Sequence, residues 1–196
     1  MSTISNGEFF FFLRTPGPMG LGHIAWGFKT SLAYRACIPS NVPPFQTGPV
    51  MTASNEVPQW MLGSLENAGG WPFVLPGADN DYWTMVVDSE AQMIVEMQTL
   101  TTASEKVGRE LPPYTYYKRI PVPTAYALAA ERKATSWFGY SVLGNNCLDN
   151  SAIISHEYGT PIRAGARMWQ ISPINFFEHT LGDYPAIPLS SQCVAA

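Results

Sequence analysis

Charge is scarce in this sequence. Only 13% of its 196 residues are Asp, Glu, Lys or Arg, about half the share usual in a soluble domain. No basic run is present and the net charge is -4, so nothing offers the electrostatic footprint of a nucleic-acid binder, and no nucleic-acid partner is expected. Long apolar runs are missing too. Phe9–Leu13 is too short to span a bilayer and Arg14 ends it. It also lacks the basic start and apolar stretch of a secretory signal. The expectation is a cytoplasmic protein without an integral membrane span, or one exported by a route that leaves no N-terminal mark. Cysteines are few and odd in number: Cys37, Cys147 and Cys193, with no C-x-x-C pair. That usage suits a reducing compartment. His23, His156 and His179 are equally scattered. No metal-ligand spacing occurs, and no metal or cofactor is expected.

What the chain does have is 46% hydrophobic residues, enough to build a full core. Glu8–Leu13 reads as a buried strand. A Gly- and Pro-rich loop, Thr15–Gly22, follows it. His23–Phe28 alternates His23, Ala25 and Gly27 on one face with Ile24, Trp26 and Phe28 on the other, which predicts a strand with room beside the imidazole. Trp60–Asn67, Tyr82–Val87, Tyr114–Ile120 and Trp137–Leu143 are further strand candidates. Ser89 and Gln92 predict the start of a helix running through Met93, Met97 and Leu100. Thr124–Thr135 reads as a second helix behind Pro123. The Met residues and the tryptophans Trp26, Trp60, Trp71, Trp83 and Trp137 are expected mostly as core. Pro39–Pro58 reads as a loop insertion or lid, and 162–196 as an irregular C-terminal extension. No repeat or linker divides residues 1–196, so the expectation is one α+β domain.

The last helix carries the candidate chemistry. Asn146 is placed to cap it, Gly159 to end it and Pro161 to prevent its continuation. Cys147 is then its first residue. Unsatisfied N–H groups and the positive end of the helix dipole favour a thiolate there and can hold an oxyanion. The plain alternative is an inert buried cysteine. A thiolate nucleophile needs a partner, and His23 is the best placed. His156 sits too far along the same helix, and His179 lies in the tail. Asp149 suits a capping role, being a first-turn acid.

Three segments together, Gly22-His23-Ile24-Ala25-Trp26-Gly27-Phe28, Gly63-Ser64-Leu65-Glu66-Asn67 and Asn145-Asn146-Cys147-Leu148-Asp149-Asn150, with Tyr158-Gly159 closing the helix, resemble the circularly permuted papain-like proteins. That group is related to the NlpC-type cell-wall peptidases and includes lecithin retinol acyltransferase. The resemblance covers roughly residues 9 to 159. It implies an antiparallel sheet packed against helices, with the His-bearing strand early and the Cys-bearing helix late. It also implies a Cys147–His23 pair with a third polar group on the imidazole, for which Glu66 is the first choice and Asn67 the second. The second histidine of the acyltransferase branch has no counterpart here. Asn145, Asn146 and Trp26 are the candidates for oxyanion or substrate contacts. The expected activity is that of a cysteine-dependent hydrolase, an amidase or peptidase, acting through a Cys147 thioester. An acyltransferase with the same chemistry and a non-catalytic binding module are the alternatives. Substrates of such sites are small molecules, peptides or acyl donors.

Overall fold

The computed structural model describes residues 3–15, 20–30, 59–66, 81–136, 146–162 and 172–189. The Pro39–Pro58 loop, the Trp137–Leu143 strand candidate, Trp71, Cys37, Cys193, Asn67 and Asn145 lie outside them.

The chain folds as α+β. Its strands are β1 (Ile4–Arg14), β2 (His23–Lys29), β3 (Trp60–Glu66), β4 (Asp81–Val87), β5 (Tyr116–Ala125) and β6 (Ile187–Pro188). They form one antiparallel sheet in the order β4-β3-β2-β1-β5-β6. Its helices are α1 (Glu90–Thr99), α2 (Thr101–Val107), α3 (Ala127–Thr135), α4 (Cys147–Tyr158) and the single turn α5 (Pro173–Asn175).

Both faces of the sheet are covered, which explains the unbroken aromatic run in β1. Phe9, Phe11 and Leu13 pack with Ile24, Trp26 and Phe28 against α3 and α4. Phe10 and Phe12 pack on the other side with Trp60, Leu62, Trp83 and the α1 residues Met93 and Met97. Removing each such ring from water contributes roughly 2–3 kcal/mol. Four residues along that face of β2 from His23, a Cβ on Gly27 would meet the Met93 sulfur at 2.4 Å, so the small residue there serves close packing with α1.

Several boundaries move. β5 runs past Ile120 to Ala125, and α3 starts at Ala127, not Thr124. Pro121 and Pro123 fit inside the strand because, among the described residues, no strand pairs with the outer edge of that stretch, β6 reaching only Tyr116 and Tyr117. α1 ends where Leu100 turns left-handed at φ 50°, and α2 follows at once. The tail is more regular than expected, with α5, a π-helical turn at Phe176–Thr180 and the edge strand β6. No helix among the described residues is long and apolar enough to cross a membrane.

Candidate active site

Helix α4 starts as its sequence dictates. Asn146 is extended at φ -107° and its Oδ1 accepts from the N–H groups of Leu148 and Asp149 at 2.9 and 3.0 Å. Asp149 returns a bond from the Asn146 N–H, completing a capping box. Gly159 closes the helix at φ 98°, a conformation costly for any residue with a Cβ. Cys147 therefore sits in the first turn, 6% exposed. The cap takes the Leu148 and Asp149 amides and leaves the N–H of Cys147 itself as the first-turn donor for an oxyanion.

His23 is the first residue of β2 and is buried. Its Nε2 lies 2.8 Å from Ser64 Oγ and 3.2 Å from Glu66 Oε1. A carboxylate only accepts, so Nε2 carries a proton, and Nδ1 is left for the sulfur. Cys147 lies close enough to the imidazole of His23 and to the backbone N–H of Ile24 for both to lower its thiol pKa. Cys147 belongs to the core beneath α4, whereas Ser64 and Glu66 share with Trp60 and Leu62 the opposite face of the sheet. The pair meets where β2 begins.

Strand register assembles the rest. Arg14 at the end of β1 pairs with His23. The β2–β3 register, with Trp26 opposite Gly63, continues to place His23 opposite Glu66. Three charged residues thus form one row across three strands. Arg14 reaches past β2, and its Nη2 lies 2.7 Å from Glu66 Oε2. Its Nη1 donates to the Pro112 carbonyl at 2.8 Å, and its guanidinium lies over the Tyr114 ring. Tyr114 donates its hydroxyl toward Ser64 Oγ at 3.1 Å and Glu66 Oε1 at 3.3 Å.

These contacts set the charges. Burial opposes an imidazolium at His23, but the Glu66 carboxylate and Cys147 together raise its pKa to about 9. Burial also pushes the Cys147 thiol up; His23 and the Ile24 N–H outweigh it and leave the pKa below its ordinary value. Glu66 would likewise be raised by burial, yet His23 and Arg14 hold it far below the usual carboxylate range. Burial and the adjacent Glu66 keep Tyr114 a neutral donor. The result is a buried row of alternating charge, Arg14⁺, Glu66⁻ and His23⁺, that ends on the lowered thiol of Cys147, and each ion in it has a partner. That is the condition under which burying charge is tolerated.

The structure thus brings together Cys147, His23 and Glu66. It assigns Asn146 to capping through its carbonyl oxygen. Trp26, expected as a substrate contact, is instead core: it is fully buried and donates its indole N–H to Asn150 Oδ1 at 3.0 Å. His156 lies in the last turn of α4, and His179 in the π-helical turn. Arg14, Ser64 and Tyr114 were not predicted as site residues. Ser64 had a signal, since it stands two residues before Glu66 and so on the same strand face. Comparison with protein-family models, with curated proteins and with solved structures returned no match.

Proposed function

We propose that this chain is a cysteine-dependent hydrolase with Cys147 as nucleophile, His23 as its base and Glu66 as the group that orients the imidazole. The observation that carries the reading is the buried Cys147–His23–Glu66 line at the start of a capped helix, with the imidazole held at Nε2 by a carboxylate. The thiolate attacks a carbonyl carbon, and the N–H of Cys147 stabilises the oxyanion. The imidazolium then gives its proton to the leaving amine or alcohol, and a thioester remains on Cys147. Water activated by the now neutral His23 adds to the thioester, which collapses to release the acid and restore the thiolate–imidazolium pair. Transfer of the same acyl group to another nucleophile differs only in that second step. The order of elements, an early His strand and a late Cys helix on an antiparallel sheet, supports a permuted papain-like fold.

The test is iodoacetamide alkylation of Cys147 followed across pH by mass spectrometry, in the wild type and in His23→Ala. The wild type is expected to label with a thiolate pKa below the ordinary value, and the variant is expected to lose that advantage. A Cys147 that titrates as an ordinary thiol in both would sink the proposal. Weighing an acyl adduct trapped on Cys147 from cell extract would then identify the acyl group and its class.

A further inference from the structure

Arg14 is fixed more tightly than a surface arginine. Its side chain is 8% exposed, one nitrogen is bound to a backbone carbonyl, the other to a carboxylate, and its plane lies over an aromatic ring. It ends β1, an otherwise apolar strand along its last turn-side residues, yet it reaches beyond the neighbouring strand to β3. A guanidinium there costs a large desolvation penalty unless its whole fork is used. What the fork does is divide the Glu66 carboxylate. Oε2 is taken by Arg14 at 2.7 Å, while Oε1 receives His23, Tyr114 and Trp83 at 3.2, 3.3 and 3.5 Å. A carboxylate free to rotate about its last torsion could offer either oxygen to the ring, or turn away.

We propose that Arg14 is a positioning residue of this site, acting through Glu66: it clamps Oε2 so that the carboxylate presents Oε1 to His23 Nε2. The inference rests on the hydrolase reading, in which that contact fixes the imidazole toward Cys147. Arg14 itself touches no reacting atom. A lysine could keep the charge but could not satisfy both Pro112 and Glu66 in a fixed plane.

The experiment uses the full chain and two NMR readouts that need no substrate: the pH titration of the Glu66 carboxyl carbon, and the proton resonance of His23 Nε2–H. In the wild type the carboxyl carbon is expected to show no step in the usual carboxylate range, and the Nε2 proton to be protected and far downfield. In Arg14→Met the Glu66 step is expected to rise by about one to three pH units, and the Nε2 proton to exchange away. Arg14→Gln, which keeps a donor but no charge, carries the same test if the Met variant does not fold. Arg14→Lys is expected to restore the low Glu66 titration. A folded neutral variant whose Glu66 titration and Nε2 proton match the wild type would overturn the role of Arg14. That outcome leaves the alkylation result standing, and failure of the alkylation test leaves these two signals unchanged, so the two readings fail separately.

Discussion

His23 and Glu66 stand opposite each other on adjacent strands, with 3.2 Å between Nε2 and Oε1. The contact is a buried ion pair, so it acts on both stability and titration. In Glu66→Gln the acceptor remains but the anion is gone. The His23 pKa, now about 9, is expected to fall by roughly one to three units. Arg14 is left without its counter-ion, and the variant is expected to lose about 3 kcal/mol of unfolding free energy. Titration of the imidazole carbon-bound protons by NMR and urea unfolding measure the two effects. An unchanged His23 titration would remove Glu66 from the site.

The Cys147–His23 pair makes an unusual prediction about pH and stability. Taken alone, His23 has a folded pKa of about 9 against 6.5 unfolded. Its contribution is complete below 6.5 and is lost as pH rises through 9. Cys147 has the opposite sign: its folded pKa lies below the ordinary 9.0, so its contribution is present above 9.0 and is lost as pH falls through the lowered value. Where the two windows overlap, the folded pair holds one proton, on the imidazole, and the unfolded pair also holds one, on the thiol. Proton uptake then cancels and the pair gives no slope. Cys147→Ala removes one half of that balance. Relative to the wild type, its stability is expected to decline above about pH 6.5 by up to about 1.4 kcal/mol per pH unit. Urea midpoints at several pH values decide this, and parallel curves for the two proteins would exclude the ion pair.

The sequence was most informative where local chemistry sets the structure. The α4 boundaries follow from Asn146 and Gly159, since caps act within a turn of the chain. The β2 strand could be read from its alternation, but not the burial of both its faces. That depends on α1 delivering Met93 against Gly27, a contact 66 positions away in the chain that no periodicity encodes. β5 was cut short because Pro123 reads as the entry to a helix until the pairing of β1 with Val122, Thr124 and Ala125 is known. In the site, Cys147, His23 and Glu66 were visible as residue types in suggestive settings. Arg14 was not, because its role depends on strand order: only with β2 lying between β1 and β3 do Arg14, His23 and Glu66 fall in one row. The register that makes the row is a tertiary fact, although each member sits at the end of a strand the sequence does mark.

Asn146 separates the cap from the charge. Asn146→Ala loses the two bonds to Leu148 and Asp149, and is expected to cost about 1 kcal/mol while changing Cys147 titration little. Asn146→Asp keeps an acceptor for both amides but places an anion beside the sulfur. It is expected to hold the stability and raise the thiol pKa by about one unit, slowing alkylation about tenfold below that pKa. Unfolding and alkylation on both variants give the comparison. If alkylation follows stability in both, the thiolate depends on helix integrity and not on local charge.

Two glycines before β2 share a backbone conformation and differ in what surrounds them, so together they test how His23 is aimed. Gly20 has φ 73° and Gly22 has φ 81°, both left-handed. A Cβ at Gly20 would meet nothing within 4 Å, whereas one at Gly22 would stand 2.7 Å from Ile174 Cγ1 and 3.3 Å from Leu13 Cδ1. Ile174 belongs to α5, which is tied to this loop by its N–H to the Leu21 carbonyl. Gly20→Ala bears only the conformational cost, about 1 kcal/mol, and Cys147 alkylation should be unchanged. Gly22→Ala adds a clash one residue from His23. Relief requires either α5 or the start of β2 to move, so a total of about 2–4 kcal/mol is expected. If β2 moves, the imidazole is displaced from both Glu66 and Cys147, and the thiolate pKa rises. If α5 moves instead, stability falls with the pKa intact. The Gly20 variant separates either outcome from the strain of a positive φ alone.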